Sequence, residues 1–316
     1  MHTPDDRLTE LVLDYVASRL SMPETPLDHP GDKAEVDAIL TGLVTREGMD
    51  PATVLEIYSE HLSKTVLSAD SPRFFAFIPA APTKAALLFD MVVSAASLQG
   101  ISWLEAAGAV AAENQALRWI SDAAGLPVTA GGAFVSGGSA GNLSALVVAR
   151  DTGRRRLVER DGEQARFRRL RVAVSDQAHS SVKNTLSILD VDPFVVRTAD
   201  HRFTGDALRA ALDADTDPDT IVAVVATSGT TNAGIIDDLR GIGTLAHERG
   251  MWFHVDGAYG GAGLFAPSVR HRYDGIELAD SFIVDPHKWL FAPFDCAALL
   301  YREPWLAKRV HTQDAS

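Results

Sequence analysis

The chain has 316 residues, 46% of them hydrophobic, which is enough for one large domain or two smaller ones around a substantial core. A formal net charge of -13 argues against broad contact with a nucleic-acid backbone. The start, MHTPDDRLTELVLDYVASRL, carries early acids, and no later segment has the long uncharged run of a membrane helix, so no membrane partner and a cytoplasmic location are expected.

In chain order, Leu8, Leu11, Leu13, Val16 and Leu20 repeat at mostly helical spacing until Pro23, Pro26 and Pro30 interrupt them, which predicts an amphipathic N-terminal arm. Helices are predicted over 34–45 and 51–67. The strongly apolar 83–98 and 107–124 read as buried helices, the second ending before Gly125 and Pro127. Short apolar runs then alternate with helical stretches. Strands are predicted at 171–175, 193–198, 221–228, 252–256, 281–285 and 296–301, with helical crossovers at 204–213 and 238–249. Runs that are apolar throughout suit a sheet covered on both faces, and hence an α/β fold with ligands beyond the carboxyl ends of its strands. Between 150 and 171, nine arginines face four acids, which reads as a solvated helix end and loop. The lone cysteine, Cys296, reads as a small core side chain, and no spacing resembles a metal site.

Four segments concentrate polar chemistry in this apolar frame. SFIVDPHKWLF places Lys288 in apolar surroundings that favour a neutral, nucleophilic amine, the alternative being a lysine reaching solvent from a helix start. WFHVDGAYGG puts Asp256 at a strand end followed by small residues. A carboxylate there can keep a heterocyclic nitrogen protonated, or it can cap a helix. GGAFVSGGSAGNLSAL reads as strand, glycine-rich turn and helix, whose first N–H groups with Ser136 and Ser139 can hold a phosphate. The same turn spells GxSxG, so a serine hydrolase using Ser139 with Asp256 and His287 is a minor alternative. His179 in SDQAHSSVKNTL can stand over a ligand or bond its own backbone. Thr227 and Ser228 in ATSGTTNAG end a strand as ligand contacts or as caps.

The ordered set AHSSVKN, ATSGTTNAG, HVDGAYGG and DPHKW resembles the pyridoxal-phosphate group II amino-acid decarboxylases, closest in style to those acting on aromatic L-amino acids, over about residues 50 to 310. The resemblance implies a type I pyridoxal-phosphate fold: a mostly parallel central sheet, helices on both faces, a helical arm and dimerisation segment at 1–70, and a large cofactor domain at 71–316. It implies pyridoxal 5'-phosphate as cofactor, Lys288 as the Schiff-base lysine, Asp256 beside the ring nitrogen, His179 stacked on the ring, Ala258 beneath it and Thr227 lining the site. Gly138, Ser139, Asp285 and His287 would surround the phosphate, although many relatives have Asn where this chain has Asp285, and an ionised carboxylate repels phosphate. Phe77, Ile78, Pro79 and Ile101 would line an apolar substrate pocket. The implied reaction is decarboxylation of an aromatic or bulky apolar L-amino acid to the amine. Aldehyde synthesis, transamination and other lyase chemistry are the alternatives, since all use the same lysine and carboxylate. The implied partners are the small-molecule amino acid, a second copy in a homodimer, and a catalytic loop and small C-terminal domain beyond the position of Ser316, possessed by relatives and supplied here by a separate fragment if the enzyme is split.

Overall fold

The computed structural model describes residues 5–312, and its internal contacts divide the chain into two compact units after Lys84. The first unit holds α1 (Asp6–Ser21), α2 (Lys33–Leu40) and α3 (Pro51–Glu60). Each begins at an aspartate, Asp5, Asp32 or Asp50, whose carboxylate accepts a hydrogen bond from a first-turn N–H that the helix itself leaves unpaired. Two of these helices stop earlier than their periodicity predicts. Gly42, at φ +79, follows α2, and a separate short 3-10 turn, Leu62–Lys64, follows α3.

From there α4 (Lys84–Ala95) and α5 (Trp103–Ala123) lead into the α/β region. Its strands are β1 (Gly131–Val135), β2 (Arg171–Ser175), β3 (Asp192–Val196), β4 (Ile221–Thr227), β5 (Trp252–Asp256), β6 (Ser281–Val284) and β7 (Ala297–Tyr301). The helices between and after them are α6 (Gly138–Asp161), α7 (Ser180–Ile188), α8 (Gly205–Ala214), α9 (Leu239–Glu248) and α10 (Pro304–His311). The strands form one sheet in the order β1-β7-β6-β5-β4-β2-β3. β3, β2, β4, β5 and β6 run parallel, while β7 runs against both β6 and β1. Two antiparallel steps restore the original direction, so β1 points the same way as β6. The carboxyl ends of β1, β2, β4, β5 and β6 therefore meet at one edge.

Side-chain alternation assigns the faces. Val172, Val174, Ala223, Val225, Trp252 and Ile283 pack with α6 and α7 through Ala145, Leu146, Ala149, Val182 and Leu186. Ala173, Val224, Ala226, Phe253, Val255, Phe282 and Val284 pack with α5, α8 and α9 through Leu117, Ile120, Leu208, Leu212, Leu239, Ile242 and Leu245. The expected mostly parallel sheet, clothed on both faces, is what forms, and this matches the type I fold. Two helices depart from expectation. α4 was expected to be buried, yet no residue of it is, and only the C-terminal part of α5 enters the core, through Leu117, Ile120 and Ser121 besides Ala106 near its start. An apolar sequence signals a surface that needs covering, without saying that its own chain supplies the cover.

Candidate active site

Strand alternation also decides where the polar residues go. On β5 the face toward α6 is occupied by Trp252, His254 and then Asp256; on β6 by Ser281 and Ile283, with Asp285 just past the strand end; on β4 by Ala223, Val225 and Thr227. Thr227 pairs with Asp256 across β4 and β5, so adjacent strands deliver polar groups to one spot at the sheet edge. There a cavity of about 460 Å³ is lined by Ser136, Gly138, Ser139, Asn142, His179, Thr227, Asp256, Ala258, Asp285, His287 and Lys288 among others. Lys288, Asp256 and His179 are thus brought together from three separate loops and strand ends.

α6 closes the cavity from one side, and two of its glycines let it approach. A Cβ on Gly138 would meet Ala258 Cβ at 2.9 Å and Asp285 Oδ2 at 3.0 Å, and one on Gly141 would meet Ile283 Cδ1 at 2.3 Å. The helix can present its first N–H groups to the cavity because these positions carry no side chain.

Asp256 is held by a buried chain of hydrogen bonds that sequence reasoning missed. Its Oδ2 accepts from Asn142 Nδ2 at 3.0 Å and its Oδ1 from the Ala258 N–H at 3.1 Å. Asn142 Nδ2 also donates to Ser181 Oγ at 3.1 Å, so its carbonyl Oδ1 is left to accept from His254 Nε2 at 2.8 Å. His254 must then be protonated at Nε2, and its bare Nδ1 accepts from Ser281 Oγ at 2.8 Å, while Ser281 Oγ accepts from Trp252 Nε1 at 2.8 Å. Every donor meets an acceptor when Asp256 is an acceptor-only carboxylate. Burial is the main reason the His254 pKa falls to about 4, the nearby Asp256 charge opposing it, so the imidazole is neutral. The signal for this network was present as a histidine amid WFHVD and an asparagine in the helix-forming GNLSAL. Buried polar groups of that kind must find partners.

His179 caps α7: its Nδ1 accepts from the Ser181 N–H at 3.2 Å and sits 2.8 Å from Ser181 Oγ. This is the local backbone bond weighed as the alternative, yet the ring also lines the cavity, and Ser181 ties it to the Asn142–Asp256 chain. Lys288 departs from its expected apolar isolation. Its Nζ lies 2.9 Å from Asp285 Oδ2, with the carboxylate side chain 2% exposed and the lysine side chain 19%. The serine-hydrolase triad is absent: Asp256 is committed to Asn142 and Ala258, while His287 Nδ1 accepts from the Cys296 N–H at 2.7 Å. Cys296 itself is half-buried, its thiol pushed up to about 11 chiefly by that burial and then by Asp285 and Asp295.

Of the residues expected to line a substrate pocket, Phe77 is 82% exposed and Ile101 78%. The arginines of 150–171 read as solvated charge, and several are paired, among them Arg155 with Asp151, Arg168 with Asp161 and Arg171 with Asp215.

The sequence profile of the pyridoxal-dependent decarboxylase conserved domain matches residues 44–313. The chain is 34% identical over 310 residues to the aromatic-L-amino-acid decarboxylase of Cavia porcellus, covering 92% of this chain and 64% of the relative. It is 31% identical over 298 residues to that of Bacillus atrophaeus, covering 93% and 60%. The solved structure of Oryza sativa TDC with PLP and tryptamine matches with a TM-score of 0.87 at 26% identity, covering 100% of this chain and 68% of that one. The chain spans about three fifths of the length of these curated relatives. An amine, a buried carboxylate and a glycine-lined helix terminus around one cavity suit a pyridoxal cofactor, and the chain belongs to the pyridoxal-dependent decarboxylase family.

Proposed function

We propose that this chain is the cofactor-holding part of an enzyme that decarboxylates an aromatic or bulky apolar L-amino acid, releasing carbon dioxide and the amine. The observation that carries the reading is the hydrogen-bonded carboxylate of Asp256 facing the same cavity as the amine of Lys288. Pyridoxal phosphate fits the residues present. Gly138 leaves the α6 terminus open to a phosphate, Asp256 offers a fixed acceptor for a ring N–H, and Asp285 keeps an unpartnered buried oxygen, Oδ1, at the same place. When bound, this cofactor supplies an electron sink for the bond pair left by departing carbon dioxide.

The chain's own residues then divide the work. Lys288 would be the amine that carries the cofactor. Asp256 would keep a proton on the ring nitrogen, and the Asn142–His254–Ser281 chain keeps Asp256 aimed. The first turn of α6, with Ser139 and His287, would hold the phosphate; Thr227 and Ala258 would bound the ring; His179 stands at the cavity wall, where its Nε2–H can meet substrate or ring. The curated relatives named above carry aromatic amino-acid names, and this supports an apolar substrate side chain. Phe77, Ile78, Pro79 and Ile101 remain the proposed apolar wall, completed in a cytoplasmic homodimer whose partner covers the exposed apolar surface. Burying an aromatic ring at about 25 cal/mol per Å² favours such a substrate, while a charged side chain on the same wall forfeits its solvation.

Two measurements test this. Borohydride reduction of the cofactor-loaded protein is expected to fix the cofactor to Lys288, read by peptide mass spectrometry; an adduct on another lysine overturns the assignment. A panel of tryptophan, tyrosine, phenylalanine, leucine, glutamate and 2,4-diaminobutyrate, followed for carbon dioxide and amine by the full-length enzyme, is expected to favour the aromatic members. Preference for a charged substrate, or aldehyde or keto acid as the main product, defeats the proposed reaction.

A further inference from the structure

The place proposed for the cofactor's phosphate already contains a carboxylate. Asp285 Oδ2 accepts from the Gly138 N–H at 3.3 Å, so the acid sits directly on the α6 terminus, and its Oδ1 is buried without a hydrogen-bond partner. The ionisable groups around it are Lys288 and His287 on its own loop, Asp256 from β5, and Asp295 and Cys296 on the segment entering β7. Among these only Lys288, at 2.9 Å, brings a positive charge. His287 Nε2 is 3.6 Å away, but its Nδ1 already accepts the Cys296 N–H, so the ring holds one proton and stays neutral.

Cofactor attachment would commit that cation elsewhere. Condensation of the ammonium with the aldehyde would bond Lys288 Nζ to the aldehyde carbon and release the aldehyde oxygen as water with two of the three ammonium hydrogens. The third hydrogen and the positive charge stay on the nitrogen, so this step neither gains nor loses a proton and Nζ no longer has three hydrogens to share with Oδ2. A phosphate dianion arrives at the same time. An ionised Asp285 would then face it with an oxygen that accepts and cannot donate. Resting on the pyridoxal-phosphate reading above, we propose that Asp285 takes up one proton from solvent when the phosphate binds and donates it from Oδ1 to a phosphate oxygen. Cofactor uptake is thereby proton uptake. Burial already raises the Asp285 pKa against the opposing pull of Lys288, and the negative charge of a phosphate beside it acts in the same direction.

The complex then holds one more proton than the free components, so affinity is greatest at low pH and falls as pH rises, by up to about tenfold per unit in the limit. Titrating pyridoxal phosphate into cofactor-free protein, followed by tryptophan fluorescence, reads this above about pH 7, where the phosphate's own second ionisation near 6 is complete. Between about pH 7 and 9 the Kd of the wild type is expected to rise about tenfold or more relative to that of Asp285→Asn. With pyridoxal, which lacks the phosphate, the two proteins are expected to show parallel profiles. Parallel profiles with pyridoxal phosphate overturn the proposal. If Asp285→Asn does not fold, calorimetry of the wild type in two buffers of different ionisation heat decides: about one proton more is expected for pyridoxal phosphate than for pyridoxal at about pH 8, and equal uptake overturns it. A wild type that binds pyridoxal phosphate without this coupling leaves the cofactor reading intact, whereas one that does not bind it at all removes that reading and this proposal together.

Discussion

β5 and α4 reverse the usual relation between polarity and burial. β5 is wholly buried although it carries His254 at 0% exposure and Asp256 at 5%, whereas α4, KAALLFDMVVSA, buries none of its residues and leaves Phe89 71% exposed. The difference lies in where partners come from. Each polar atom on β5 finds its complement within the chain, in Asn142, Ser281 and the Ala258 N–H. Phe89, Val92 and Val93 of α4, and Leu104 at 95% exposure on α5, stay exposed. Exposed apolar side chains of this kind are what an interface covers where they form one continuous patch. The polar groups of β5 are satisfied within one chain, whereas these apolar side chains are left exposed.

The largest expected effect falls at the cavity. Lys288→Ala should abolish the borohydride adduct and lower turnover by about 100- to 10,000-fold, the range for losing a positioned catalytic group. A variant retaining wild-type turnover would place the essential amine elsewhere. On the exposed apolar side, Leu104→Glu should raise the dissociation constant of the proposed homodimer by about 30-fold or more, a hot-spot loss of ~2 kcal/mol, with the fold intact. Sedimentation showing an unchanged dimer would free α5 from the interface and collapse the contrast drawn here.

A smaller effect should follow from Asp256→Asn, which loses a charge-assisted contact worth about 1.5 to 3 kcal/mol and sets an amide N–H against Asn142 Nδ2. kcat should fall about 10- to 100-fold while the melting temperature moves little. Equal loss of stability and activity would make the residue structural. The smallest is a pH effect at His254. Its folded pKa of about 4 lies below the unfolded value near 6.5, so the unfolded chain binds more protons between them. The stability that neutral His254 contributes is full above about pH 6.5 and is lost as pH falls toward about 4, by at most about 1.4 kcal/mol per unit. His254→Gln keeps a donor for Asn142 and an acceptor for Ser281 without titrating. Urea unfolding at about pH 7 and 5 should therefore show a shallower pH dependence in the variant, and identical slopes would mean His254 is not buried neutral.

The same contrast explains what could be read from sequence. Strands such as IVAVVATS were legible because a sheet covered on both faces needs apolar side chains at every position, and the motif spacing placed Lys288, Asp256 and His179 around one sheet edge. α4 was misjudged because its sequence records only that it avoids water. Asn142, His254 and Ser281 escaped notice because their meaning is pairwise: each looks like an isolated polar residue until α6 is laid across β5 and β6. The pairing of Lys288 with Asp285 sat in plain view at helical spacing, i and i+3, but Asp285 drew attention only as a neighbour of phosphate.

The antiparallel closure of the sheet sets a schedule for synthesis. β1, which leads into the glycine-rich turn, has β7 as its sole strand partner among the described residues, Gly131 opposite Tyr301. At about 5–20 residues per second, the ~170 residues between them take roughly 10–35 s to translate, and β1 waits that long without a ladder. Closing so long a loop adds little free energy, because the cost grows by only about 0.6 kcal/mol per doubling of length, but it delays the pairing. The two halves of the cofactor cradle are joined last, so a nascent chain stalled before Ala297 should carry Lys288 and still be unable to retain the cofactor.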